Sequence, residues 1–97
     1  MVRHIVFWKL KPEAEGNDAA ENGRIMKERL EGLVGVIDGL KSLGVYSGFS
    51  TGYDLCLISE HNDKAALESY QGHPEHLKIR EFVHKVIDSR ASFDCEI

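Results

Sequence analysis

The stretch YQGHPEHLKI, residues 70 to 79, sets a tyrosine, two histidines and a glutamate around a Gly-Pro break in an otherwise helical pattern. Imidazole is the side chain whose ordinary pKa suits proton transfer near neutral pH, and a phenol can donate a hydrogen bond to an oxygen that gains charge. Tyr70 and His76 are therefore candidates for acid–base work. His73 and His76 also form an HxxH pair, which invites a metal. That signal is weak, because HxxH lacks the i, i+4 spacing of two ligands on one helix face and His73 falls at a helix cap, aimed elsewhere than His76. No metal site is expected. The plainer reading of the segment is a helix corner, in which Gly72 stops one helix, His73 caps the next, Pro74 takes a first helical position and Glu75 favours the helix dipole.

Whether Tyr70 and His76 can meet is a question of helix geometry. On one unbroken helix, six residues turn through about 600°, which leaves the two side chains about 120° apart. The Gly72–Pro74 break redirects the axis between them, so both can face one cavity between helices and sheet. The first turn of the restarted helix also disfavours imidazolium, which keeps His76 in the neutral form a general base needs. A third histidine, His4, stands on an apolar strand face with Val6 and Trp8. His61 and His84 are expected at the surface.

The elements that must position these groups follow from hydrophobic periodicity. VRHIVFWKL (2 to 10) is β-branched, aromatic and apolar on both faces, which describes an inner strand. KPEAEGN is a polar loop, after which Asp18 can cap a helix with Glu21 three residues on. Ile25, Met26, Leu30, Leu33 and Val34 form its apolar stripe, a core face that ends near Gly35. DG at 38–39 turns the chain into LKSLGVYSGF, a strand whose glycines suit an edge or a bulge. STG at 50–52 leads into YDLCLISEH, a second strand apolar on both sides. Asn62 or Asp63 can cap the helix KAALESYQ, Pro74 restarts a helical stretch to about Asp88, and SFDCEI closes the chain as an alternating strand.

Composition bounds the class. Ninety-seven residues, 42% hydrophobic and 29% charged, make one soluble domain. A net charge of −4 with no basic block argues against nucleic acid. The apolar run IVFW is too short for a signal peptide core or a membrane span, so no membrane partner is expected and the expected address is the cytoplasm. No Gly-rich fingerprint announces a flavin, nicotinamide or phosphate site, and no cofactor is expected. Cys56 and Cys95 have neither CxxC nor zinc-ligand spacing and are read as buried small hydrophobes.

The order β-α-β-β-α-β, with a broken second helix, is the ferredoxin-like arrangement: an α+β fold with an antiparallel sheet and helices on one face. If the strands order as 4-1-3-2, strands one and three are central, where both faces are apolar. Cys56 and Cys95 are then two strand spacings apart, roughly 9 to 10 Å, too far for a disulfide. One sheet face, bearing either Ile5, Phe7, Cys56 and Ile58 or their neighbours, would lie bare over roughly 400 Å², the limit for a soluble monomer. A second copy packed sheet to sheet is the expected cover, giving a homodimer.

HIVFWKLKP near the start, GYDLCLISEHNDKAALESYQGHPEH in the middle and the closing FDCEI resemble the stress-responsive A/B barrel (Dabb) domain family over essentially the whole chain. The resemblance implies a single domain over residues 1–97 and a dimeric α+β barrel. It also implies positions for a site through a plant polyketide cyclase of the family, which closes a ring by intramolecular aldol condensation. That enzyme's essential tyrosine falls on Tyr70, its base histidine on His76 and a pocket histidine on His4, whereas a further pocket histidine falls where this chain has Leu55. The catalytic candidates are thus Tyr70 and His76, and the substrate-binding candidates His4, Val6, Trp8 and Leu55. Two functions are expected from this set. One is a homodimer binding a small apolar or aromatic metabolite between sheet and helices; the other is a cofactor-free enzyme that abstracts a proton next to a carbonyl, with His76 as base, Tyr70 as acid or oxyanion donor and His4 in support.

Overall fold

The computed structural model describes residues 1–50 and 52–97; Thr51, in the loop expected at 50–52, lies outside the described residues. The elements are β1 (Val2–Leu10), β2 (Glu13–Ala14), β3 (Asn17–Asp18), α1 (Ala19–Glu31), β4 (Leu40–Ser47), β5 (Leu55–His61), α2 (Lys64–Gly72), α3 (Pro74–Val86) and β6 (Ile87–Glu96). The main sheet has the order β4-β5-β1-β6, antiparallel throughout. This is the ferredoxin-like α+β fold, and its two central strands are the two that are apolar on both faces.

Strand alternation explains which side each residue takes. Val2, His4, Val6, Trp8 and Leu10 of β1 are buried, as are Leu55, Leu57, Ser59 and His61 of β5. They face the helices, where Met26 and Leu30 of α1, Leu67 of α2 and Val83 and Val86 of α3 close the core. The helices begin where side chains can hold their free N–H groups. The Asp18 carboxylate accepts from the Glu21 N–H at 2.8 Å, Asp63 accepts from Ala66 at 2.8 Å, and the His73 ring nitrogen Nδ1 accepts from Glu75 at 3.1 Å.

β4 is an edge strand with a register shift between Leu40 and Ser42. Its outward backbone is occupied by α1: Lys27 Nζ donates to the Val45 carbonyl at 2.8 Å, and Glu31 accepts from the Val45 N–H at 3.0 Å. Lys27 and the Val45 N–H together hold the Glu31 carboxyl below its usual range. An edge satisfied by side chains cannot template another strand at that point.

Several expectations are corrected. α1 ends at Glu31 with Gly32 as its cap, short of Gly35, so Val34 leaves the stripe and stands 41% exposed. The polar loop after β1 contains a two-residue ribbon turned at Glu15 and Gly16, both at positive φ, the backbone of a tight hairpin. α3 ends at Val86 rather than Asp88, and the last strand starts at Ile87, five residues ahead of SFDCEI. Pairing with the full length of β1 sets its extent, where side-chain alternation had suggested only the later part of it. Cys56 and Cys95 are free but only half-buried, because both lie on the sheet face away from the helices with Ile58 and Phe93. His61, expected at the surface, is fully buried, sharing the inward parity of Leu55 and Leu57.

The outer face of the sheet has no cover among the described residues. Ile58, Tyr46 and Phe93 are 37%, 56% and 62% exposed there, and Ile58 and Phe93 flank Ile5 in one row across β5, β1 and β6. No helix among the described residues is long and apolar enough to cross a membrane.

Candidate functional site

β1 presents His4, Val6 and Trp8 on its inner face, and these three line a pocket of about 400 Å³ with Tyr70 and His76. Such a volume lies at the small end of small-molecule sites. Leu30 and Leu57 add to its apolar wall, while Arg80 of α3 and Arg90 of β6 bring charge. Leu55 lies elsewhere: its methyl groups sit beside Gly23 in a separate cleft shared with Leu10 and Val45.

The corner at Gly72–Pro74 brings Tyr70 and His76 together, with ring centroids 4.5 Å apart. His73 serves both helices, closing α2 through its N–H on the Tyr70 carbonyl and capping α3 through its side chain. The segment is therefore a corner and a pocket wall at once. Tyr70 is 1% exposed and packs against two further imidazoles, His61 at 4.9 Å and His4 at 6.4 Å. Burial pushes its phenol far above the ordinary tyrosine range, so Tyr70 stays protonated and can only donate or accept a hydrogen bond near neutral pH. Its hydroxyl has no hydrogen-bond partner among the described residues.

The protonation of each histidine follows from its partner. His76 Nδ1 lies 3.2 Å from the Gln71 carbonyl, which can only accept, so Nδ1 carries the hydrogen and Nε2 keeps its lone pair. Burial lowers the His76 pKa, the Gln71 carbonyl opposes this, and the neighbouring Arg80, His4 and Arg90 lower it further. The neutral ring is thus favoured, chiefly by burial rather than by the helix dipole. His4 Nδ1 donates to the Asp94 carboxylate, which fixes that ring's orientation and leaves Nε2 as its other nitrogen. His61 Nε2 pairs with the Ser59 hydroxyl at 2.9 Å, and burial, helped by His4, takes its pKa down to about 4. Trp8 Nε1 and His61 Nδ1 are likewise without a partner among the described residues, and both atoms are fully buried.

Sequence reasoning missed His61 and Asp94. The alternation of Leu55, Leu57 and Ser59 carries the signal for His61, since residue 61 has the same parity. Asp94 is different: its place opposite His4 depends on the register of β6 against β1, which no local pattern encodes. Among the described residues, no cluster of three or more His, Cys, Asp or Glu side chains could hold a metal ion.

Comparison with known proteins agrees with this architecture. A dimeric protein of unknown function and ferredoxin-like fold from Bacteroides fragilis is 27% identical and superposes with a TM-score of 0.83, over 99% of this chain and 95% of that one. A Dabb family protein of ferredoxin-like fold from Mesorhizobium loti is 19% identical, with a TM-score of 0.79 over 99% of this chain and 95% of that one. A hydroxynitrile lyase from Passiflora edulis is 14% identical, with a TM-score of 0.84 over 99% and 92%. The last two likenesses bear on the fold alone. No curated protein matches. The model of the Stress responsive A/B Barrel Domain matches residues 2–97, and on that match the chain belongs to the Dabb family.

Proposed function

We propose that this chain is a single-domain homodimer whose subunits each bind a small, largely apolar or aromatic molecule between sheet and helices. The observation that carries the reading is the pocket itself: an apolar wall of Val6, Trp8 and Leu57 facing the polar groups of Tyr70, His76 and His4. Few polar groups on an apolar surface is the ordinary make-up of a ligand site. The bare outer face supports the homodimer, as does the dimeric relative from Bacteroides fragilis. Two free thiols on that face fit a reducing compartment, which supports the cytoplasm as its address.

Trp8 is the only tryptophan and lines the pocket, so its indole N–H gives one assigned resonance that reports on occupancy. Titration with the neutral probe para-propylbenzamide is expected to shift that resonance saturably in the wild type, and Leu57→Phe, which fills part of the space without adding an indole, is expected to weaken or abolish the saturable shift. A probe that leaves the indole unmoved up to its solubility limit overturns the reading.

One observation favours a second reading, acid–base chemistry next to a carbonyl. His76 is neutral with a free Nε2, and the ring of the protonated Tyr70 lies against it. His76 would take the proton and Tyr70 would donate to the enolate oxygen. Deuterium incorporation from solvent beside the carbonyl of an aryl methyl ketone is expected to run faster with the wild type than without protein, and to fall to the protein-free rate in His76→Ala. Equal rates in the two proteins would reject this chemistry.

A further inference from the structure

The chain has five arginines, and three of them have partners: Arg3 on Glu60, Arg24 on Glu21 and Glu28, and Arg29 over the ring of Phe82. The other two, Arg80 and Arg90, pair with no carboxylate among the described residues, and both line the pocket. They come from opposite walls. Arg80 projects from α3, and Arg90 is the direct neighbour of Trp8 in the β1–β6 register. Both are exposed while Tyr70 and His4 are buried, so the two guanidiniums mark the mouth and the aromatic groups the interior. No carboxylate is among the residues that line the pocket, and Asp94, farther along β6, is engaged by His4. A patch of unpaired positive charge in a molecule of net charge −4 calls for a cause.

From this arrangement we infer that the pocket selects molecules bearing a carboxylate on an apolar or aromatic body, with Arg80 and Arg90 holding the carboxylate at the mouth and the body lying over Val6, Trp8 and Leu57. Guanidinium presents paired N–H donors that match the two oxygens of a carboxylate, and such charge-assisted bonds are stronger than neutral ones. The apolar wall accounts for the body, and an inorganic phosphate would leave it unused. The carboxylate at the mouth directs the far end of the molecule towards Tyr70 and His76. This inference rests on the pocket being a ligand site.

The test compares para-propylbenzoate with para-propylbenzamide, read on the Trp8 indole resonance of the full-length protein. The two probes share a body and differ in charge. The acid is expected to bind about tenfold more tightly than the amide, and the preference is expected to shrink as salt is raised. Arg90→Gln and Arg80→Gln are each expected to reduce the preference severalfold, and Arg90→Lys to retain part of it. Equal affinity for acid and amide in the wild type overturns the carboxylate inference while leaving the pocket reading standing. Displacement of para-propylbenzoate by inorganic phosphate at matched concentration also overturns it. Failure of both probes to move the indole removes the pocket reading and the inference together.

Discussion

Tyr70 is surrounded by three imidazoles, of which His61 is the one with no access to solvent and a ring nitrogen without a partner. Its titration gives a stability signature. The folded His61 pKa is about 4 against an ordinary 6.5, so between those values the unfolded chain binds a proton that the folded chain does not. Stability is therefore full above about pH 6.5 and falls as the pH drops, by up to about 1.4 kcal/mol per pH unit. His4 approaches His61 and opposes its protonation, whereas Asp94 favours it more weakly. His76, also held low, acts in the same direction. Glu21, Glu31, Glu75 and Glu96 are held low as well, and they add their losses below about pH 4.5. Urea unfolding at about pH 7 and about pH 5 is expected to differ by about 2 kcal/mol from His61 alone, and His61→Gln to flatten the dependence. An unchanged slope in that variant would mean that the ring is not kept neutral by burial. At this scale the sequence was half legible. Tyr70, His76 and His4 stand out by type, whereas Asp94 acquires its role only through a pairing ninety residues away.

Elements place these residues through a few backbone devices. The Gly72–Pro74 corner is readable because each residue type there has one local job, and the structure assigns His73 the cap of α3. The extent of β6 is not readable, since Asp88, Ser89 and Arg90 lack an apolar alternation; their strand is dictated by the edge of β1 and opens onto the pocket. Gly39 is a device of another kind. It has φ of 84°, and a Cβ there would lie 2.8 Å from the Cβ of Ala66 at the start of α2. Gly39→Ala is expected to cost about 1–3 kcal/mol, from the left-handed backbone and the clash together. A thermal melt checks it, and an unchanged midpoint would mean that α2 can retreat freely from the β4 turn. Since α2 carries Tyr70, the same variant is expected to broaden the Trp8 indole resonance.

Over the whole molecule, the helices cover one sheet face and leave the other exposed, a feature that the two-sided apolar pattern of β1 and β5 already implies. Alternation alone does not say which set faces out; the fold places Ile5, Phe7, Ile58 and Phe93 there. A lysine in place of Ile58 would put a charge in the middle of the proposed dimer interface, and a buried unpaired charge costs several kcal/mol. Light scattering is expected to give twice the chain mass for the wild type at micromolar concentration and the single-chain mass for Ile58→Lys. A monomeric wild type would refute the dimer without touching the pocket, which each chain builds from its own residues.

The central claim is that this pocket holds a molecule, and the most direct measurement is a crystal structure of the wild-type protein grown with para-propylbenzamide. The account predicts density for the ring over Trp8, within about 4 Å of Tyr70 and His76. Density for the probe only on the outer sheet face, or side chains closed over the space beside Trp8, would contradict it.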